Sequence, residues 1–193
     1  MRLIIASNNA HKIKEIKRML SGKFGEILSL GEAGISHETV EDGKTFMENA
    51  LKKAREIAEI SGCAALADDS GICAHALDGA PGIYSARFAG THDHNSADDA
   101  NNEKLLEMLS DKSDRTAHYT AAVALVYPDG REVVAEGYMY GTIINEYRGS
   151  RGFGYDPLFV PKGETRTVAE MTDDEKNEIS HRANALRALL AKI

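Results

Sequence analysis

The chain has 193 residues, 42% of them hydrophobic, and a formal net charge of −7 at pH 7. That length and apolar content suit one large domain, or two lobes sharing a core, and exclude a disordered or fibrous class. The acidic balance argues against a broad nucleic-acid surface, because neutralising many phosphates usually takes net positive charge, so any phosphate site has to be local.

Leu3 to Ala6 reads as a buried strand, followed by Ser7-Asn8-Asn9 as a cap and a helix with Ile13, Ile16 and Leu20 on one face, ending at Gly22. The chain turns polar at Ser7, too soon for a signal peptide, and no apolar run approaches the length that crosses a bilayer. A second helix spans about Phe46 to Ile60, with Thr45 and Glu48 spaced as a capping box, an apolar stripe of Phe46, Ala50, Ala54 and Ile57, and a stop at Gly62. Cys63 and Cys73, the two cysteines, match no zinc or redox spacing and could not staple a domain of this size, which suits a reducing cytoplasm. After Gly79-Ala80-Pro81-Gly82, a third helix near Ala97 to Leu109 buries Leu105, Leu106 and Leu109. Thr116 to Tyr127 and Glu132 to Met139 flank Pro128-Asp129-Gly130 as a β-hairpin, and the chain closes on helix with Leu186, Leu189, Leu190 and Ile193 on one side. Strand-helix units at both ends with a hairpin between them predict an α/β protein with a mixed sheet, in a single domain over residues 1–193.

Chemistry concentrates in four segments. Ala67-Asp68-Asp69-Ser70-Gly71 sets adjacent carboxylates and a hydroxyl where the apolar run Ala64 to Ala67 gives way to a glycine turn. Neighbouring strand residues point in opposite directions, so one carboxylate can bind a hard cation while the other holds the loop or shares proton work. In Ser7-Asn8-Asn9-Ala10-His11-Lys12 a strand end meets a helix start, where free N–H groups, the helix dipole and Lys12 favour an anion. Taken alone, that segment is also an ordinary Ser/Asn helix cap. Gly149 to Pro157 places Phe153 and Tyr155 among glycines beside Asp156, and either ring could stack on a flat ligand or plug the core. Lys176 and Ser180-His181-Arg182 would not converge on an uninterrupted helix, where Lys176 stands roughly 140° from His181 and about 120° from Arg182. A break at Ser180 puts His181 and Arg182 in the first turn of a fresh helix, with Lys176 on the turn before. His92-Asp93-His94 looks metal-like but reads as a solvated polar loop, and Cys73 as packing.

Together these segments resemble the Ham1 family, the inosine/xanthosine triphosphatases that hydrolyse non-standard purine nucleoside triphosphates. The resemblance spans essentially the whole chain: Ser7, Asn9 and Lys12, then Asp68 to Gly71, Gly79 to Arg87, Phe153 to Pro157, and Glu175, Lys176 with Ser180 to Arg182. It implies an elongated two-lobed α/β fold, a long mixed β-sheet flanked by helices, an active-site cleft between the lobes, and a cytoplasmic homodimer with a nucleotide substrate and neither nucleic-acid nor membrane partners. It implies hydrolysis of ITP, dITP or XTP between the α- and β-phosphates, with Mg²⁺ as cofactor and Asp69 as proton acceptor. It assigns substrate binding to Ser7, Asn8, Asn9, Ala10, His11, Lys12, Ser70, Phe153, Gly154, Tyr155, Asp156, Lys176, His181 and Arg182. The last three would donate to the 6-oxo group that distinguishes hypoxanthine and xanthine from adenine. Many family members carry consecutive glutamates ahead of the second helix, one of them a metal ligand. Here the stretch reads Glu38-Thr39-Val40-Glu41, so the ligand position falls on Glu41 or, with a different gap, on the non-ligating Val40. The metal role is carried to Asp69 and Glu41, with Glu38 as a substitute. A phosphatase of different base specificity would use the same carboxylates and lysine, whereas a non-catalytic nucleotide sensor would not need the Asp68-Asp69 pair.

Overall fold

The computed structural model describes residues 1–90 and 97–193. The His92-Asp93-His94 reading lies outside the described residues. The strands are β1 (Arg2–Ile5), β2 (Glu26–Ser29), β3 (Ala64–Ala74), β4 (Thr116–Val126), β5 (Glu132–Ile143) and β6 (Phe159–Pro161), and the helices α1 (Ala10–Met19), α2 (Phe46–Ser61), α3 (Ala97–Met108), α4 (Asp173–Ile179) and α5 (His181–Leu190). The strands form one six-stranded sheet in the order β2-β1-β3-β4-β5-β6. β1 runs parallel to β2 and β3, while β5 and β6 are antiparallel, so the sheet is mixed, as expected. Among the described residues no helix is long and apolar enough to cross a membrane.

The chain divides into two compact units, the first made of Met1–Asp69, Ala121–Gly137 and Arg182–Ile193, the second of Ser70–Thr120 and Tyr138–His181. In the first unit the middle of the sheet is covered on both faces, which is why β1, β3 up to Ala67 and β4 from Ala121 read as continuous apolar runs. One face carries Leu3 and Ile5 of β1, Ala64 and Leu66 of β3, and Val123 and Leu125 of β4, packed with Ile16 and Leu20 of the α1 segment and Leu186 and Leu189 of α5. The other carries Ile4, Ala65, Ala67, Ala122 and Ala124 against Ala50, Ala54 and Ile57 of α2. The alternation of odd and even positions along each strand thus decides which helix a side chain meets. In the second unit a separate core gathers Ile72 and Ala74, Leu105 and Leu109, Tyr119, Met139, Tyr155 and Phe159.

Several local expectations change. β3 does not turn at Gly71 but runs on to Ala74; a Cβ at Gly71 would stand 2.3 Å from Ser85 Oγ and 2.4 Å from the Gly82 carbonyl oxygen, so the glycine serves a close approach. The Thr45 side chain caps α2 by accepting from Glu48 N, but the Glu48 carboxylate reaches back to Lys44 N at 2.6 Å, so half of the expected box forms one residue further upstream. β5 extends beyond Met139 because β6 pairs with its far end, Thr142 opposite Val160. Ile193 lies past the end of α5 and is exposed, and Leu106 and Leu190 are half-buried rather than buried. The break at Ser180 is present: its backbone is extended (φ −64°, ψ 151°) between α4 and α5.

Candidate active site

In the first unit β3 carries Asp68 and Asp69 to opposite faces. Asp68 follows Ala64 and Leu66 toward α1 and α5. Lys12 Nζ stands 2.6 Å from its Oδ1, and Arg182 Nε and Nη2 each donate to it at 3.2 Å. Arg182 Nη1 donates to Glu15, so a guanidinium that is 1% exposed is shared between two carboxylates. Burial pushes the Asp68 carboxyl up, but Arg182 and Lys12 outweigh it and hold it well below the ordinary carboxylate range. Arg182 therefore sits against carboxylates, where the sequence reading placed it against a base edge.

Asp69 follows Ala65 and Ala67 toward α2. Asn49 Nδ2 donates to its Oδ2 at 3.0 Å while Asn49 Oδ1 accepts from Gly43 N at 2.9 Å, tying the loop before α2 to the carboxylate. Lys53 Nζ donates to Glu41 Oε1 at 2.6 Å and to the Asp68 carbonyl at 2.9 Å, and lies 3.6 Å from Asp69 Oδ1. Burial raises the Asp69 carboxyl above its ordinary value; Lys53 and Lys12 pull it down, Glu41 pushes it up, and the net direction is upward. Of the three positions considered before α2, Glu41 joins this cluster through Lys53, while Val40 is exposed and Glu38 lies on a surface cleft with Asn8 and His37.

The loop into α1 is a helix N-terminus whose cap is Asn9 alone: its side chain accepts from Lys12 N at 3.1 Å, and Ser7 Oγ accepts from Asn9 N at 3.2 Å. Asn8, Asn9, Ala10 and His11 are exposed, and Ser7 and Lys12 half-buried. The loop lies at the positive end of the α1 dipole, with Lys12 in the first turn.

In the second unit Asp156 is 3% exposed and accepts from Phe153 N at 3.1 Å and Lys176 Nζ at 2.8 Å on Oδ2, and from Tyr119 OH at 3.4 Å on Oδ1. It thus ties the turn at Phe153 to α4 and β4. A Cβ on Gly152 would meet that same Oδ2 at 2.1 Å. Lys176 Nζ stands 4.7 Å over the half-buried Phe153 ring, and His181 stacks on Tyr119 with ring centres 4.6 Å apart and planes 10° apart. Tyr155 turns into the core, its hydroxyl donating to the Ser85 carbonyl at 2.8 Å, whereas Phe153 is half-buried. Ser70 is the one half-buried position in the otherwise buried β3.

The Ham1 family profile matches residues 3–192. The chain belongs to the Ham1 family. It is 50% identical to a dITP/XTP pyrophosphatase of Clostridium perfringens (strain 13 / Type A), over 97% of this chain and 95% of that one. Among solved structures it is similar to a HAM1 protein from Coxiella burnetii, with TM-score 0.88 and 37% identity over all of both chains. It is also similar to the nucleoside-triphosphatase / dITP/XTP pyrophosphatase of Mycobacterium abscessus ATCC 19977 / DSM 44196, with TM-score 0.78 and 46% identity over 98% of this chain and 99% of that one.

Within this Ham1 chain the sequence reading missed Asn49, Lys53 and Tyr119. The signal for the first two lay in the pattern: they fall on the stripe of Phe46, Ala50, Ala54 and Ile57, where a polar residue has to find a buried partner. Tyr119 is buried with its hydroxyl pKa raised well above the ordinary value, chiefly by burial and then by Asp156, so it stays a neutral donor. Among the described residues no cluster of three or more His, Cys, Asp or Glu forms a complete metal cage. Glu41 and Asp69 offer carboxylate oxygens around a Lys53 ammonium, a position that already attracts a cation. Two carboxylates are the number Mg²⁺ commonly takes, its shell being completed by water and phosphate; here Lys53 Nζ occupies the position between them.

Proposed function

We propose that this Ham1 chain hydrolyses dITP, ITP and XTP to the nucleoside monophosphate and pyrophosphate, clearing deaminated purine nucleotides from the pool. The observation that carries the reading is the split pair on β3: Asp68 is paired with Lys12 and Arg182, while Asp69 faces the Asn49 amide and the Lys53–Glu41 pair. A dITP/XTP pyrophosphatase at 50% identity supports the substrate class.

Phosphoryl chemistry asks for charge neutralisation and an aligned water. Lys12 and the loop over Ser7 to His11 grip the phosphates, with Ser70 adding a hydroxyl. Asp69 orients the attacking water and takes its proton. Glu41 and Asp69 would hold Mg²⁺, which when bound would supply positive charge at the phosphates. Phe153 stacks on the purine, backed by the Gly154-Tyr155-Asp156 turn, and Lys176 and His181 donate to the 6-oxo edge. Arg182 acts through Asp68 rather than on the base. The protein works as a cytoplasmic homodimer.

The test is a product assay with ITP, XTP, dITP, GTP and ATP, with and without Mg²⁺, scoring pyrophosphate against orthophosphate, beside light scattering for the dimer. Pyrophosphate from the first three, dependent on Mg²⁺ and with ATP nearly untouched, is the expected result. Orthophosphate, or equal turnover of all five, overturns the reading in favour of a phosphatase of other specificity, and binding without turnover in favour of a sensor.

A further inference from the structure

We infer that Asp98 and Asn102 of α3 are positioning residues that hold both polar groups of Gly154, and so set Phe153 and Asp156 for reading the base. The inference rests on the nucleotide reading above and extends it to residues that touch no substrate.

Phe153 stands between two glycines in the left-handed region, Gly152 at φ 76° and Gly154 at φ 62°. Such a turn leaves peptide groups facing away from any regular ladder, and their partners decide where the intervening side chain points. Phe153 N is taken by Asp156 Oδ2 at 3.1 Å. The next two groups go to α3: Gly154 N donates to Asp98 Oδ2 at 2.6 Å, and Asn102 Nδ2 donates to the Gly154 carbonyl at 3.0 Å. Residues four apart share a helix face, so one side of α3 holds the peptides on both sides of the glycine.

Neither residue is explained by the helix alone. Asp98 and Asp99 both lie in the first turn of α3, where a negative charge suits the dipole, yet Asp99 is exposed and Asp98 is half-buried against Gly154. Asn102 is 1% exposed, and its Oδ1 has no protein hydrogen-bond partner among the described residues, so the bond from Nδ2 to Gly154 accounts for a buried amide there. The turn so held presents the Phe153 ring under Lys176 and the Asp156 carboxylate to Lys176 and Tyr119. Releasing Gly154 frees the ring that stacks and the carboxylate that aims the lysine, without touching Asp69 or Lys12.

The experiment compares wild type, Asp98→Ala and Asp98→Asn. It measures kcat and KM for XTP, dITP and ATP with Mg²⁺, thermal stability, and hydrogen exchange at the Gly154 amide. Asp98→Ala should raise KM for XTP and dITP about tenfold, the worth of one charge-assisted hydrogen bond, and narrow selectivity over ATP while kcat stays near wild type. Asp98→Asn should restore both, because its carboxamide oxygen can accept the same N–H, and the Gly154 amide should lose protection in the alanine variant only. Unchanged KM and selectivity in Asp98→Ala, or parallel losses of kcat, KM and stability that asparagine does not rescue, would overturn the inference. A wild type that turns over none of the substrates would instead overturn the functional reading. Even then, a Gly154 amide equally protected in Asp98→Ala and wild type would overturn the clamp on its own.

Discussion

Asp68 and Asp69 are the same residue one position apart, yet the two faces of β3 make them opposites. On the α1 and α5 face, Asp68 is 1% exposed and meets Lys12 and Arg182; on the α2 face, Asp69 is 6% exposed and meets an Asn49 amide and a Lys53 already engaged by Glu41. Burial raises both carboxyls, and only on the first face do cations outweigh it. One carboxylate is held charged by two cations, and the other keeps the uncompensated cost of its burial. Strand alternation alone is enough to divide the work this way, because it hands neighbouring residues to different helices.

Replacing each with asparagine should break the pair in different currencies. Asp69→Asn is expected to lower kcat by about 10²–10⁴, the usual range for a lost general base, with nucleotide binding largely kept, as read by steady-state kinetics and calorimetry. It should also be as stable as wild type or more so. The folded carboxyl titrates above its unfolded value, so its charge works against folding at neutral pH and ceases to as pH falls through the folded value; the gap in Tm should close in acid. Asp68→Asn leaves the buried Arg182 and Lys12 charges under-compensated and should destabilise by ~3–5 kcal/mol, lowering Tm by about 2–4 °C for each of those. Its pH dependence has the other sign. The folded Asp68 carboxyl is depressed, so the wild-type advantage should hold down to the ordinary aspartate value and be lost as pH falls through the lowered one. Equal behaviour of the two variants in acid would sink the division between the faces.

Substitutions at the cations sharpen the same contrast. Arg182→Ala should lower kcat/KM for ITP and ATP by a common factor, since its guanidinium serves Asp68 and Glu15. Lys176→Met should cut the ITP-to-ATP ratio by about tenfold, the value of a hydrogen bond from a charged donor. A selectivity change in Arg182→Ala would return that residue to the base edge.

What the sequence made legible was local. β1, α1, α2 and the hairpin follow from short-range periodicity and end at capping or turn residues, and adjacent carboxylates announce opposite directions wherever they fall in a strand. Gly71 misled because Ser-Gly reads as a turn, whereas the constraint comes from Ser85 and Gly82, more than ten residues away in sequence. The partners of Arg182 were hidden for the same reason: Asp68 lies 114 positions upstream, and nothing in a basic first turn names the carboxylate that neutralises it. Lys53 was passed over, although its register with Ala50 and Ile57 already aimed it at the core side of α2. Strand β2 escaped because its four residues are exposed or half-buried and carry no buried run.

The smallest expected effects concern the caps of the two helices that serve these faces. Asn9 caps α1 by accepting from Lys12 N, and Thr45 caps α2 by accepting from Glu48 N, each at 3.1 Å. Alanine at either position should lower stability by ~1 kcal/mol. The kinetic consequences should differ, because Asn9 shapes the loop that presents Lys12, while Thr45 lies a full turn ahead of Asn49 and further still from Lys53. Asn9→Ala is expected to raise the substrate KM with kcat little changed. Thr45→Ala should leave KM alone and show only in thermal melts. If both variants raise KM alike, the phosphate grip depends on the α2 face as much as on the loop before α1, and the separation of an anchoring face from a catalytic one fails at its weakest point.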